Sequence, residues 1–322
     1  MRRVVCRRFG PIEDLEIEDA PPLDPGPGQV VVDVRAAGVN FVDGLFVTGA
    51  YQIKPPLPFT PGGEVAGIVS ATGDGVDGLA VADRVIASCG VGGFAEQVVV
   101  APGSVFVLSD AISFEVGAAF VQSYATAQFS LANRTSVAPG EWVVVLGAGG
   151  GVGRACVDVA RGLGARVIAV ASSDSKRQAA RDAGAEATID PTTEDVKAKA
   201  RDISGGGVDV VVDPVGGDVA EPALRALAFS GRYLVVGFVA GIPRLPLNQV
   251  LLNNRTVIGV EWGGWALRNP EANRALVTDV LRRAASGELR PPEPAVAKLD
   301  DVVDVLRDLE QRRVTGKVVL AP

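Results

Sequence analysis

The chain shows two patterns of apolar and polar residues, and the change falls near residue 121. The first part has short apolar runs, rich in β-branched residues and separated by glycine and proline, which predicts strands in a compact, barrel-like domain. A long loop with a short helical piece, residues 38–60, interrupts this part and is the kind of segment that carries function. The predicted strands are residues 29–35, 63–70, 84–87, 93–100 and 104–108.

The second part begins with a helix for which Ser113 is the expected N-cap. Buried-strand runs then alternate with stretches whose apolar residues recur every three or four positions. This alternation predicts an α/β fold with a doubly wound parallel Rossmann sheet. Its strands are predicted at residues 142–146, 166–171, 187–189, 208–213, 232–237 and 256–260.

A glycine-rich turn, residues 147–153, connects the first of these strands to its helix. Glycines allow backbone N–H groups to approach a pyrophosphate at the positive end of a helix. Ala148, Gly150 and Gly153 occupy the three positions whose spacing matters. Because a strand precedes the turn and a helix and second strand follow it, the turn predicts dinucleotide binding.

After Trp265 the pattern changes to two amphipathic helices and a last strand at 317–320. This tail is too short to form a domain, so we expect it to return to the β-rich part. The predicted division is therefore a β-rich domain of residues 1–121 and 266–322, and a Rossmann domain of residues 122–265.

The composition is that of an ordinary soluble globular protein, with 48% hydrophobic and 21% charged residues in a chain of 322. The net charge of -7 disfavours nucleic acid and anionic membranes as partners. No apolar run approaches the roughly 20 residues that span a bilayer, and no signal-peptide core follows the basic N-terminus. Three widely spaced cysteines suit a reducing compartment, so we expect a cytoplasmic protein.

The chain contains no histidine. A histidine general base, a Ser-His dyad and a histidine metal ligand are therefore excluded. With three scattered cysteines, a four-cysteine structural zinc site is impossible, and a catalytic zinc site would lack imidazole. We therefore expect a protein without zinc.

The end of the second Rossmann strand indicates which nicotinamide cofactor is used. NAD enzymes usually place Asp or Glu there to bind the ribose hydroxyls, but this position is Ala171. Ser172, Ser173 and Lys176 follow with hydroxyls and a cation, which suit a 2′-phosphate. We interpret Asp174 as a first-turn residue favoured by the helix dipole. The sequence therefore predicts NADPH, and the alternative for Lys176 is a solvated helix face.

Several motifs resemble the zinc-free quinone oxidoreductase branch of the medium-chain dehydrogenase/reductase superfamily, which includes zeta-crystallin. Gly38-Val-Asn-Phe-Val-Asp43 is similar to that branch's Gly-Val-Asn-x-x-Asp motif. Pro61-Gly-Gly-Glu-Val-Ala-Gly67 resembles its Pro-Gly-x-Glu-x-x-Gly motif, and the glycine turn and residues 314–320 are similar as well. Zinc alcohol dehydrogenases of the superfamily have a ligand histidine in place of Gly63 and a ligand cysteine near Asn40.

The resemblance implies a GroES-like barrel domain, NADPH as the cofactor, no zinc, and a homodimer. Asn40 is implied to lie beside the nicotinamide and to hold its ribose or a substrate carbonyl. Tyr51 is the expected proton donor, and solvent is the alternative donor. The alternative role for Tyr51 is structural, as a loop tyrosine packed on prolines. Asp43 is expected to hold its loop or cap the helical turn. The implied cofactor-binding residues are Asn40, Thr126, Ala148, Gly150, Gly151, Val152, Gly153, Ser172, Ser173, Lys176, Gly237 and Phe238.

These features predict an NADPH-dependent, zinc-independent reductase that transfers hydride to a quinone or an α,β-unsaturated carbonyl (enone). One alternative is an enoyl-thioester reductase, for which Arg244, Arg255 and Arg268 could supply a basic path. The other is a structural or regulatory protein that binds the cofactor without turnover. Trp262 and Trp265 are expected to form an apolar wall for a flat substrate or to lie at a subunit contact. The motifs do not name the acceptor, because acceptor specificity depends on pocket shape.

Overall fold

A computed structural model describes residues 1–322, which form two compact units. The first unit contains Met1–Gln122 and Pro292–Pro322, and the second contains Ser123–Pro291. The strands are β1 (Arg2–Val5), β2 (Glu16–Asp19), β3 (Val30–Val39), β4 (Glu64–Thr72), β5 (Arg84–Ser88), β6 (Gln97–Val100), β7 (Val105–Val107), β8 (Trp142–Leu146), β9 (Arg166–Val170), β10 (Ala187–Ile189), β11 (Val208–Asp213), β12 (Leu227–Val235), β13 (Thr256–Gly259), β14 (Ala295–Lys298) and β15 (Val318–Ala321).

Ten α-helices accompany these strands, and none is long and apolar enough to cross a membrane. They are α1 (Phe41–Thr48), α2 (Phe114–Gln128), α3 (Gly151–Gly162), α4 (Asp174–Asp182), α5 (Val196–Ser204), α6 (Ala220–Ala226), α7 (Leu247–Leu251), α8 (Trp262–Arg268), α9 (Pro270–Ala285) and α10 (Val302–Glu310). Short 3₁₀ turns lie at Ile12–Asp14, Pro102–Ser104, Gly217–Val219 and Leu299–Asp301, and Phe129–Arg134 is a π-helix.

The first unit is built on a seven-stranded sheet in which β3 is the central strand. The strand order is β14-β15-β3-β4-β5-β7, and β6 also pairs with β3. Valines dominate its core, since β-branched side chains pack well on a pleated surface. The last strand, β15, pairs antiparallel with β3. The end of the chain therefore returns to the β-rich unit, as predicted.

The second unit contains a six-stranded parallel sheet in the order β10-β9-β8-β11-β12-β13. Every residue of β8 is buried, as a strand covered on both faces should be. The strand order reverses between β8 and β11, and sheets of this type bind ligands at the carboxyl ends of the strands beside that point. The doubly wound Rossmann sheet is therefore confirmed.

The boundary between the units differs from the predicted one, because residues 266–291 belong to the second unit. Polar contacts of α9 and the turn after it explain the difference. Arg283 donates to the Gln128 side chain at 2.9 Å, and Asp158 accepts the Arg290 N–H at 2.6 Å. An amphipathic helix pattern shows that one face is buried, but it does not identify the surface that buries it.

Five short elements were not predicted from the sequence. All have between four and seven residues, so few positions carry their periodicity. They are β1, β2, α7, α8 and β14.

Candidate functional site

The turn between β8 and α3 has the geometry of a dinucleotide-binding turn. Gly147 has a φ of 59°, in the left-handed region that favours glycine, and Gly150 is the N-cap of α3. A Cβ on Gly153 would lie 2.2 Å from the Gly147 carbonyl oxygen, so only glycine lets the helix start this close to the turn. Ala148 is fully buried. The residues predicted to meet the pyrophosphate at this helix terminus are Gly150, Gly151 and Val152.

Lys176 lies directly against this turn. A Cβ on Gly149 would lie 2.4 Å from Cβ and 2.6 Å from Cγ of Lys176, so the lysine stem covers the Gly149 backbone. Ser173 is the N-cap of α4 and accepts the Lys176 N–H at 3.3 Å, and Ser172 is exposed. The structure therefore brings these three sequence-predicted residues together at the end of β9, next to the glycine turn.

Arg177 has a structural role in the same segment. It donates to the Ala171 carbonyl at 2.9 Å and pairs with Asp190 at 2.7 Å and with Asp174. Asp174 lies in the first turn of α4, as predicted. Two carboxylates therefore neutralise Arg177, and the residue ties the start of α4 to the ends of the neighbouring strands.

Gly237 and Phe238 follow β12 and lie beside the turn after β11. Asp213 holds this turn, because its Oδ1 accepts two of the turn's backbone N–H groups, each at 2.8 Å. Its Oδ2 accepts the Tyr233 hydroxyl at 2.6 Å. A Cβ on Gly216 in this turn would lie 3.3 Å from the Phe238 ring, which is 42% exposed. The buried Asp213–Tyr233 pair, which the sequence did not single out, thus supports two predicted cofactor residues.

Thr126 and Tyr51 are positioned by local contacts. The carbonyl oxygen of Thr126, on α2, accepts the Ser130 hydroxyl at 2.6 Å. The Tyr51 ring packs edge-on against Phe46 with the ring centroids 5.0 Å apart. Asn40 and Tyr51 flank opposite ends of α1, whose eight residues span about 12 Å at the usual helical rise.

Asn40 belongs to a buried polar cluster in the first unit, formed with Glu64 and Lys317. Asn40 Nδ2 donates to Glu64 Oε1 at 2.9 Å, and Asn40 Oδ1 accepts from Lys317 Nζ at 2.5 Å. Lys317 Nζ also pairs with Glu64 Oε1 at 2.8 Å. Asn40 and Lys317 are each 9% exposed and Glu64 is 2% exposed. The three segments meet because β3 pairs with both β4 and β15.

Gly38 explains why the Gly-Val-Asn motif begins with glycine. A Cβ on Gly38 would lie 2.1 Å from the Ala118 carbonyl oxygen and 2.8 Å from Glu64 Cγ. The missing side chain lets α2 approach β3, where the Gln122 N–H donates to Glu64 Oε2 at 2.9 Å. Both Glu64 oxygens therefore accept hydrogen bonds, as a buried carboxylate requires.

Asp43 caps the first turn of α1, as predicted. Its Oδ2 accepts the Asn40 backbone N–H at 2.7 Å. The side chain is fully buried, and burial raises the pKa of Asp43 to about 7. The Asn40 N–H and the Lys317 charge act in the opposite direction, and Glu64 acts in the same direction as burial. The Asp43 carboxyl therefore changes between its protonated and its charged form near neutral pH.

We expect Asp43 to make stability depend on pH. Its pKa rises from 3.8 to about 7 on folding, so between these values the folded chain binds more protons than the unfolded chain. The stabilising contribution of this group is therefore present at low pH and is lost as the pH rises through that window. Relative to Asp43→Asn, the wild-type free energy of unfolding should fall by up to about 1.4 kcal/mol per pH unit. Urea unfolding of both proteins across the window measures this, and a pH-independent difference would contradict it.

Sequence reasoning did not select Glu64 and Lys317 as site residues, although both lie within the motifs quoted above. The sequence feature that could have identified them is a single charged residue at the start of an apolar strand. A charge at such a position is rarely buried without a partner, so each of the two residues indicates a buried pair. The partner could not be identified locally, since the two residues are 253 positions apart.

The residues around Gly63 do not fit a zinc ion. No group of three or more cysteine and carboxylate side chains is arranged to hold a metal. Cys89 donates to the Gly62 carbonyl at 3.3 Å, and burial raises the pKa of Cys89 to about 12. Lys317 already donates to Asn40 and Glu64. We therefore derive no chemistry through zinc.

Comparison with known proteins adds family evidence to this geometry. The family model for the alcohol dehydrogenase GroES-like domain matches residues 26–110, and the model for zinc-binding dehydrogenases matches residues 151–278. Quinone oxidoreductase-like protein 2 from Bos taurus is 39% identical over 311 residues, which cover 95% of this chain and 89% of that protein. These matches extend over both units.

Solved structures agree with both units as well. A quinone oxidoreductase from Pseudomonas syringae is 32% identical, with a TM-score of 0.92 over 100% of this chain and 99% of that chain. The Escherichia coli quinone oxidoreductase, solved in complex with NADPH, is 29% identical, with a TM-score of 0.92 over 100% of both chains.

Proposed function

We propose that this chain, which belongs to the zinc-free quinone oxidoreductase branch of the medium-chain dehydrogenase/reductase superfamily, is an NADPH-dependent reductase of quinones or α,β-unsaturated carbonyls. The observation that carries this proposal is the Asn40 amide, held by Glu64 and Lys317 in a cluster without a metal-binding group. Reduction of a carbonyl places negative charge on its oxygen, and a fixed N–H donor stabilises that charge.

The residues present fit NADPH. Glycines leave the backbone uncovered where the pyrophosphate would approach the N-terminus of α3, and Lys176 lies against Gly149 of the same turn. Lys176, Ser172 and Ser173 would hold the 2′-phosphate, and Thr126 would approach the nicotinamide end. Gly237 and Phe238 would line the cofactor site. The reduced cofactor supplies a hydride when bound. Asn40 then donates to the acceptor oxygen, and Tyr51 or solvent supplies the proton.

Replacing Lys176 by alanine should separate the two nicotinamide cofactors. We expect the KM for NADPH to rise about 10-fold or more, because a charge-assisted contact to phosphate is lost. The KM for NADH should remain almost unchanged, since NADH has no 2′-phosphate. Lys197→Ala, at an exposed position on α5, is the matched control. An unchanged KM for NADPH in Lys176→Ala would remove this residue from the site.

An acceptor panel tests the proposed activity. Loss of reduced-nicotinamide absorbance would be followed with benzoquinone, phenanthrenequinone, a simple enone and crotonyl-CoA, each with NADPH and with NADH. Turnover of a quinone or the enone, with NADPH preferred, is the expected result. Turnover of crotonyl-CoA alone would favour the thioester reductase. Tight NADPH binding without any turnover would favour a protein that binds the cofactor but is not an enzyme.

No observation in the structure favours the thioester reductase over the proposed activity. Arg255, one of three arginines considered for a basic path, is 7% exposed and donates to the carbonyls of Leu227 and Ala228. Arg255 therefore stabilises the backbone of its own unit and does not contribute to a basic surface. Only Arg244 and Arg268 of that set are exposed.

The edge of the Rossmann sheet suggests how a homodimer would form. β13 is an edge strand, and its backbone can pair with a second copy, as exposed sheet edges do. Large apolar side chains are exposed close to it in sequence, on and after α7. These exposed apolar residues are Leu247, Leu251, Leu252 and Val257, at 75%, 76%, 70% and 39% exposure. The two tryptophans considered for a subunit contact, Trp262 and Trp265, contact Asn273 and Phe129 of their own unit.

A charge placed on this edge should prevent dimerisation. Val257→Lys introduces an ammonium on β13, where pairing of two copies would bring like charges together. We expect light scattering to give a dimer for the wild type and a monomer for the variant, with unchanged circular dichroism. A monomeric wild type would contradict the proposed dimer.

A further inference from the structure

Lys317 is a buried cation to which the sequence assigned no role. It directly precedes β15, and its Nζ donates to Asn40 Oδ1 at 2.5 Å, to Glu64 Oε1 at 2.8 Å and to the Val39 carbonyl at 3.2 Å. These three acceptors account for all three donors of an ammonium group. Lysine is rarely this buried unless its charge is paired, and here the partner is Glu64.

The two charges fix the orientation of the Asn40 amide. An ammonium group only donates hydrogen bonds and a carboxylate only accepts them. The amide oxygen must therefore face Lys317, and the amide nitrogen must face Glu64. A flipped amide would place its N–H groups against the ammonium and its oxygen against the carboxylate. One Nδ2 hydrogen is bound by Glu64, and the second makes no hydrogen bond within the protein.

We propose that Lys317 is a positioning residue that makes Asn40 an obligatory N–H donor toward the oxygen of the acceptor. This inference rests on the proposed function and deepens it. When hydride adds to the acceptor carbon, the electron pair of the adjacent π system moves to the carbonyl oxygen. The second Nδ2 hydrogen of Asn40 donates to that oxygen, and a proton from Tyr51 or solvent completes the reduction.

The ammonium also strengthens the donor. Lys317 withdraws electron density from the amide oxygen, so the N–H groups at the other end of the same amide become more positive, and burial of the cluster enhances this effect. A fixed cation at this place thus acts on the acceptor through Asn40, without touching it. The class of substrate that fits is one with an oxygen that gains negative charge, as carbonyls and quinones do.

A structural role for Lys317 would be limited to neutralising Glu64, and two variants separate the two roles. Lys317→Met removes the charge and keeps a similar stem. Lys317→Met/Glu64→Gln also removes the unpaired charge but keeps a side-chain oxygen that can accept from Asn40, so a purely structural role predicts recovery of activity. The positioning role predicts that kcat stays about 10- to 100-fold below wild type in both variants. Losses of this size are usual for residues that hydrogen-bond to a functional side chain without contacting the substrate themselves. It also predicts an unchanged Kd for NADPH. Lys197→Met is the matched control at an exposed lysine.

The side-chain amide signal of Asn40 in ¹⁵N NMR provides a readout that does not depend on activity, and Asn40→Ala assigns it. In the wild type we expect one of the two side-chain amide hydrogens of Asn40 to be protected from exchange with solvent. In both Lys317 variants we expect the signal to shift and this hydrogen to exchange faster. An identical signal in wild type and variants, or full recovery of kcat in the double variant, would overturn the proposal. If the wild type reduces none of the acceptors, the proposed function fails, while the amide signal still decides the role of Lys317.

Discussion

Replacing Asn40 by alanine is expected to lower kcat for quinone or enone reduction about 100-fold, the usual loss when one donor to a developing oxyanion is removed. The Kd for NADPH should change little, because no contact at the glycine turn is altered. The physical reason is the position of the amide, which Glu64 and Lys317 hold with one N–H available for an acceptor. Stopped-flow turnover and fluorescence titration of NADPH measure the two quantities separately.

Two controls make this result interpretable. Asn133→Ala truncates an exposed asparagine and should leave kcat unchanged. Because Asn40→Ala leaves Lys317 with one acceptor fewer, the thermal unfolding of the variant must be compared with that of wild type. An equal loss of kcat and NADPH affinity would contradict the role given to Asn40, since that pattern indicates loss of binding to both ground and transition states.

The second large effect is expected for Gly149→Ala. A methyl group at this position would lie 2.4 Å from Lys176 Cβ, so the lysine must move away from the turn. The methyl also covers backbone that should meet the cofactor. We expect the Kd for NADPH to rise about 10-fold or more, in line with loss of a charge-assisted phosphate contact. Calorimetric titration with NADPH measures it.

A double-mutant cycle tests the cause of this effect. If Gly149→Ala acts through Lys176, its effect on NADPH affinity should be smaller in a Lys176→Ala background. Gly103→Ala is the matched control, because its Cβ would meet nothing within 4 Å and its backbone is not left-handed. Fully additive effects would show that the methyl group acts on the cofactor directly and not through the lysine.

The Rossmann half of the protein could be predicted from the sequence because its signals are local. The strand β8, the glycine turn and α3 follow one another without interruption, so their periodicity and turn chemistry appear in one window. The N-cap at Ser113 is confirmed for the same reason, since its hydroxyl accepts the Val116 N–H at 3.1 Å only three residues away.

The buried cluster could be predicted only in part because it depends on long-range strand pairing. Asn40 was selected through the resemblance, and the capping role of Asp43 through its place in a helical turn. Glu64 and Lys317 join them only when β4 and β15 pair with β3. Likewise, the amphipathic pattern of α9 predicted a buried face, but Arg283 and its contact with Gln128 decide which unit the helix joins.

The most direct test of the proposed activity follows the hydrogen itself. The purified protein would reduce an enone with NADPH that carries deuterium at the transferred C4 position, and mass spectrometry would locate the label. The account predicts one deuterium on the β-carbon of the product, with the second hydrogen taken from water, and about 100-fold slower formation in Asn40→Ala. An unlabelled product, or labelled product formed equally fast by Asn40→Ala, would contradict it.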